Sequence, residues 1–174
     1  MDTGLLIVRI VAGLLFAGHG TQKLFGWFGG HGLAGTGGAF EKLGFRPGKP
    51  MAGAAGLGEL GGGILLALGL LTPIAAAAVI GVMVNAVVAA HLGKGPWAMN
   101  GGWELPVLYG AVAAALAFVG PGAYSVDNAV GWTLAGDGWG VAALVIGCCA
   151  GLVTLAVRAS NRTRDARGGL GQAA

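Results

Sequence analysis

The sequence predicts an all-α protein, a polytopic membrane helix bundle with a four-helix core and a fifth transmembrane helix at its carboxyl end. Three observations carry that expectation. Hydrophobic residues make up 55% of the 174 and charged residues only 10%, with a mean hydropathy of +0.76, far from the soluble norm of about 25% charged. The apolar residues gather in five long blocks, 4–26, 51–71, 73–92, 104–121 and 138–157, each near the ~20 residues that cross a hydrocarbon core of about 30 Å. The charges also sort by side. With five spans and the carboxyl tail in the cytoplasm, Lys23, Lys42, Arg46, Lys49, Lys94, Arg158, Arg162, Arg164 and Arg167 fall inside, nine of the ten basic residues. Only Asp2, Asp127 and Asp137 fall in the outside segments, as the positive-inside rule requires.

The first block follows an amino terminus, Met1-Asp2-Thr3-Gly4, that lacks the basic run of a secretory signal, so this helix is expected to stay in the mature protein. Arg9 lies one turn inside it and is expected to snorkel to the outer interface. Residues 27–50 form a glycine-rich cytoplasmic segment, with a short interfacial helix expected near Thr36 to Leu43 that presents Ala39, Phe40 and Leu43 on one side. The second and third blocks join through Leu71-Thr72-Pro73, where Thr72 can cap and Pro73 can take the first helical position. The fourth block is the shortest, and Trp103 and Tyr109 are expected to support it at the interface. Residues 1–121 read as the four-helix core, and 122–174 as an external loop, the fifth span and the arginine-rich tail.

Several function classes fall away on composition and spacing. The net charge of +3 and pI of 9.2 come with no basic patch interleaved with aromatics, so nucleic acid is not an expected partner. Membrane lipid is. Cys148 and Cys149 are neighbours, about 100° apart on a helix, and cannot form a Cys-x-x-Cys redox pair. No zinc spacing is present, so no metal is expected. Gly56-Leu57-Gly58-Glu59-Leu60-Gly61 matches a dinucleotide-binding pattern, but that pattern needs a strand before it and a βαβ unit around it.

The polar residues inside the blocks are the candidate site, because a charge in a bilayer costs at least ~2.5–3.5 kcal/mol on insertion scales. They are His19, Gln22, Lys23, Glu59, Asn85, His91 and Glu104, while the fifth block carries no ionisable residue from Gly138 to Val157. The working unit is therefore expected in the first four helices. At a rise of about 1.5 Å per residue, His19 lies ~21 Å from the outer face and Glu59 and Asn85 ~18 Å, which places the three in one layer. Lys23 and His91, ~27 Å down, form a second layer with Glu104 near the inner face. His19, Gln22 and Lys23 stand at i, i+3 and i+4 and share one helix face. His19 and Lys23 are both candidate partners for the charge of Glu59. The competing reading is a polar knot that only ties the helices together. Haem is disfavoured, since His19 and His91 differ in depth by ~6 Å and neither has a matched second ligand.

These residues together resemble the DoxX family. The resemblance rests on Arg9, Phe16-Ala17-Gly18-His19-Gly20-Thr21-Gln22-Lys23-Leu24, Phe40-Glu41-Lys42-Leu43-Gly44, Gly58-Glu59-Leu60-Gly61-Gly62, Leu68-Gly69-Leu70-Leu71-Thr72, Asn85 and Trp103-Glu104, and covers residues 4–121. It implies a four-helix protein of the bacterial inner (plasma) membrane, here with a fifth helix added. It also implies an association with quinol oxidation, thiosulfate:quinone oxidoreduction or oxidative and thiol stress. The resulting expectation is a redox-associated membrane subunit, part of an oligomer or complex, that holds a quinone or similar small molecule. His19 and Glu59 are the expected catalytic pair. Asn85, Gln22, Lys23, His91, Trp103 and Glu104 are the expected binding residues. Two alternatives stand beside it. One is a non-catalytic anchor whose cytoplasmic segment docks a soluble redox or thiol-stress enzyme, and the other is a small-molecule transporter, for which no inverted repeat is evident.

Overall fold

A computed structural model describes residues 1–171, with side-chain surroundings through residue 165; Arg167, the last of the tail arginines, lies outside those side chains. Among the described residues the chain is all-helical, as the sequence predicts. Five apolar helices run antiparallel: α1 (Asp2–Phe25), α3 (Gly48–Leu68), α4 (Thr72–Asn85), α5 (Glu104–Val119) and α7 (Asp137–Gly171). Two short helices, α2 (Gly32–Leu43) and α6 (Val126–Ala129), lie in the connections. Beyond Asn85, α4 continues through a π-helical stretch, Ala86–His91, and a 3₁₀ turn, Leu92–Lys94. α1, α3, α7 and the α4 segment to Lys94 are long and apolar enough to cross a membrane, and α5 is the shorter apolar helix. The short helix in the 27–50 connection begins at Gly32, a turn earlier than the sequence pattern indicates.

α1 lies along α3, α3 packs on α4, and α4 and α5 pack on α7. The α1–α3 contact is made by glycine. The buried stripe of α1 is Arg9, Gly13, Phe16, Ala17, Gly20 and Thr21, the i, i+3, i+4 spacing of one helix face. A Cβ at Gly13 would stand 2.6 Å from the Gly63 carbonyl, and one at Gly20 would stand 2.7 Å from the Gly56 carbonyl. Backbones approach this closely in membranes when small residues face each other. The core between α4 and its neighbours is built from Phe16, Ala76, Ala77, Val79, Ile80, Met83, Ala113, Ala117 and Ala143.

The bundle has a basic end and an acidic end. Lys23, Lys42, Arg46, Lys49, Lys94, Arg158 and Arg162 gather at the termini and loops of one end, and Asp2, Asp127 and Asp137 at the other. At the acidic end the structure corrects two expectations. Thr72 does not cap α4. The residue before the helix is Leu71, in a left-handed conformation and without a capping side chain, and the cap arrives from a distant loop. The Asp127 carboxylate, fully buried, accepts hydrogen bonds from Leu71 N at 2.7 Å, Thr72 N at 3.0 Å and Thr72 Oγ1 at 2.8 Å. An acidic group on the free N–H groups of a helix start is favoured by both hydrogen bonding and the helix dipole.

Arg9 does not snorkel. It is 1% exposed, and its guanidinium donates to the Tyr124 carbonyl within coulombic range of Asp127. A loop folded over the acidic end, 120–132, supplies both partners, so the guanidinium turns inward under protein and not outward to water. Gly69, at φ 62 in the α3–α4 turn, lets the guanidinium pass where a Cβ would collide with it.

Replacing Asp127 by Ala should remove the α4 cap and leave Arg9 buried beside fewer acceptors. Each hydrogen bond to a charged group is worth about 1.5–3 kcal/mol, so the loss of three should cost several kcal/mol. Thermal unfolding in detergent should show a clearly lowered midpoint for Asp127→Ala, with Asn128→Ala, an exposed neighbour, close to the parent; equal midpoints for all three would refute the clasp.

Candidate functional site

A cavity of about 360 Å³ opens in the basic half of the bundle. Its floor is α4 and the π-helical stretch, from Ala77 to His91. One wall is α3, through Met51, Ala54, Ala55 and Glu59, and the other is α7, through Ala150 and Thr154. Phe40, Leu43 and Phe45 close the basic end, and Lys23 reaches in from α1. Small side chains make the room: alanine recurs along α4 because a stripe of methyl groups leaves space that leucines would fill. The π-helical stretch coincides with the floor at Ala86, Ala89, Ala90 and His91, the kind of local distortion that recurs at functional sites.

The polar centre of the cavity is an ion pair between helices. Glu59 is 2% exposed. Lys23 Nζ donates to Glu59 Oε1 at 2.8 Å and stands 2.6 Å from Oε2. Oε2 is itself covered by protein, with Lys23 Nζ as its charge partner and, among the described residues, no donor aligned on it. The pair exists because α1 and α3 touch through glycine, bringing the last turn of one helix beside the middle of the other. Asn85, one turn nearer the basic end on α4, is held on both sides of its amide. Its Nδ2 donates to the Gly81 carbonyl at 2.9 Å, and its Oδ1 accepts from Thr154 Oγ1 at 2.9 Å. His91 Nδ1 is 2.6 Å from the Gly101 carbonyl. Since a carbonyl only accepts, that nitrogen carries the proton and Nε2 is left as an acceptor when the ring is neutral.

The structure thus brings Lys23, Glu59, Asn85 and His91 to one cavity and leaves the other sequence-selected residues outside it. His19 is exposed on the outward side of α1. Its Nδ1 lies 3.0 Å from Gln22 Oε1, and Gln22 Nε2 donates to the Phe28 carbonyl at 3.3 Å, all within a shallow groove bounded by Leu14, Leu15 and Gly18. Its ring meets Tyr109 edge-on at 6.0 Å. Trp103 and Glu104 belong to the loop entering α5, where their backbone N–H groups donate to Gly95 and Pro96 carbonyls at 3.2 and 2.9 Å. His19 is therefore outside the cavity that Glu59 and Asn85 share, within coulombic range of Glu59, and Lys23 is the cation that meets the carboxylate.

Two features were missed by the sequence. Thr154 lines the cavity from α7, although the search for ionisable groups had confined the working unit to the first four helices. A hydroxyl in an otherwise apolar span was the available signal. The second is the closure at the basic end, where Arg158 Nε donates to the Leu43 carbonyl at 2.7 Å and its guanidinium lies 5.7 Å from the Phe45 ring. Asn161 Nδ2 adds contacts to the Gly44 and Arg46 carbonyls at 3.4 and 3.3 Å, and Arg46 pairs with Asp165.

The DoxX family model matches residues 4–92, about half of the chain, from α1 through the π-helical stretch. The chain belongs to the DoxX family. The matched segment contains Lys23, Glu59, Asn85 and His91 and stops short of α5 and α7. No curated protein and no solved structure matches the chain significantly.

The ion pair makes a sharp stability prediction. Lys23→Ala leaves a buried carboxylate without its cation, and removing one member of such a pair typically costs ~3–5 kcal/mol. Replacing both members, as Lys23→Met with Glu59→Leu, should recover most of the loss. Denaturant unfolding in mild detergent of the single and double variants gives the coupling directly; a Lys23→Ala protein as stable as the parent would show that the pair is not desolvated.

Proposed function

We propose that this DoxX-family membrane protein binds a small amphiphilic molecule of the quinone type in the α3–α4–α7 cavity and acts as a redox-associated subunit of the inner membrane. The supporting observation is the Lys23–Glu59 pair set into the wall of an otherwise apolar cavity. A space of about 360 Å³ falls at the lower end of the ~300–1,000 Å³ of small-molecule sites, where a few polar groups orient a mostly apolar ligand. Lys23 Nζ supplies a cationic N–H donor for a headgroup carbonyl, and the Glu59 carboxylate paired with it is the acceptor for a headgroup hydroxyl. Thr154 and Asn85 set the far edge, and His91 Nε2 is a further acceptor at the basic end. These groups bind and orient the headgroup, and Glu59 is the residue placed to exchange a proton with it.

The proposed orientation puts the basic end in the cytoplasm and the amino terminus outside, because Lys and Arg in short loops retain their segments on the cytoplasmic side. Fusions at the carboxyl end should then give a fluorescent cytoplasmic reporter and an inactive periplasmic phosphatase. The opposite pattern would invert the topology.

The competing reading is a scaffold that docks a soluble redox enzyme on the 27–50 segment. Lys42 and Lys49 are exposed and remain available for such a partner, whereas Arg46 is engaged by Asp165. Binding of menadione, a tailless quinone, to protein in lipid nanodiscs separates the two. Glu59→Gln should weaken binding of the reduced form, menadiol, whose hydroxyls donate to the carboxylate, by about tenfold or more, and Lys42→Glu with Lys49→Glu should leave binding of both forms unchanged. Undetectable menadione binding by the parent protein, or equal menadiol binding by Glu59→Gln, would sink the pocket reading.

A further inference from the structure

Resting on the pocket reading above, we infer that the ligand reaches the cavity sideways from the hydrocarbon through the gap between α3 and α7, and keeps an apolar tail in that gap. The site would thus select a lipid-phase amphiphile, a hydrogen-bonding headgroup on a long chain, over a water-borne one. Three observations support this.

The first is the helix arrangement. α3 and α7 both pack on α4, yet make no substantial contact with each other among the described residues. Where they diverge they leave a slot floored by α4, and Ala54 on α3 and Ala150 on α7 are exposed at its two rims. In a bilayer those rims face acyl chains.

The second is the length. The floor runs from Ala77 to His91, about 20 Å at a helical rise of ~1.5 Å per residue. A single ring occupies about a third of that, and apart from Asn85, Thr154 and His91 the rest of the lining is mostly alanine and other apolar side chains, which suit a chain.

The third is that the water-side end is shut. Phe45 is buried, and the Leu43–Arg46 turn that carries it is bound to α7 through Arg158, Asn161 and Asp165. A ligand coming from water would have to break that closure, whereas one coming from lipid passes between the exposed rims at Ala54 and Ala150. The polar groups then set the register. A headgroup that engages Lys23 and Glu59 lies level with Gly81–Val82, because Gly58 and Gly62, which bracket Glu59, face Val82 and Ala78. Ala150 lies beside Gly81, so the α7 rim stands at the level of the headgroup and a tail leaves directly into the bilayer.

A quinone analogue carrying a diazirine in its tail tests this in nanodiscs, beside menadione and a phospholipid with a diazirine in its acyl chain. The tailed quinone should label peptides containing Ala54 and Ala150, and excess decyl-quinone should displace it. Ala150→Trp, which narrows the slot at the α7 rim, should weaken binding of the tailed quinone by about tenfold more than binding of menadione. Labelling elsewhere, or Ala150→Trp affecting neither ligand, overturns the lateral route and leaves the pocket standing. Equal labelling by the phospholipid that decyl-quinone does not displace shows the slot to be ordinary lipid-facing surface, which also overturns it. If neither menadione nor the tailed quinone binds, the pocket reading fails and the lateral route with it.

Discussion

A carboxylate buried in a membrane helix must be neutralised where it stands, and in this protein the neutralising charge crosses from the neighbouring helix. Glu59 stands in the middle of α3, far from either end, while Lys23 comes from the last turn of α1. For Lys23 to reach Glu59, α1 and α3 must lie backbone to backbone, and the opposed Gly13, Gly20, Gly56 and Gly63 allow that approach. Any larger residue on this seam would separate the helices and leave the carboxylate alone in an apolar medium, where an unpaired charge is far more costly than a cavity or a lost contact. Glycine content and the ion pair are thus one constraint seen twice: the small residues are needed because the charges are there.

The same logic explains why the cavity lies on the other side of α3. α1 spends its small residues against α3, while α4 turns a row of alanines toward the space between α3 and α7. α7 then does two jobs. Its Thr154 holds the Asn85 amide in place, and its extension beyond the apolar span secures the Leu43–Arg46 turn that roofs the cavity. A helix outside the segment matched to the family thereby completes a cavity whose charged residues lie within it.

Much of this could be read in advance. The first four apolar helices follow from the apolar blocks to within a few residues, whereas α7 runs on past the fifth block, 138–157, to Gly171, and the two-ended charge distribution follows from counting lysines and arginines. The polar residues worth watching were also visible: Lys23, Glu59, Asn85 and His91 all line the cavity. The missing coordinate was direction around the helix axis. Depth along the axis places His19 level with Glu59, but His19 lies on the outward side of α1. The buried stripe Arg9, Gly13, Phe16, Ala17, Gly20 and Thr21 centres on the face toward α3, and His19, although three residues after Phe16 and four before Lys23, lies at its exposed flank. That stripe of small residues was the better guide to the interior face than the polar cluster itself. Other features rest on contacts between residues far apart in the chain. Asp127 caps α4 from a loop more than fifty residues later, and Arg9 finds a carbonyl at Tyr124; no local pattern announces either.

The π-helical stretch connects these points. A π turn carries an extra residue per turn, so the helix widens and the side chains beyond it rotate away from the register of the preceding α-helix. Here it starts directly after Asn85, the last residue of α4 to be tied across to α7, and ends at His91, which is tied to the Gly101 carbonyl. Between those two fixed points lie only Ala86, Val87, Val88, Ala89 and Ala90, whose small or short side chains allow the widened turn to face open space without clashing. The helix is therefore regular where it must pack and hold Asn85, and irregular where it floors the cavity. A distortion at that position fits a helix that also bounds a site, because the same change that makes room places His91 against the Gly101 carbonyl in the connection leading to α5.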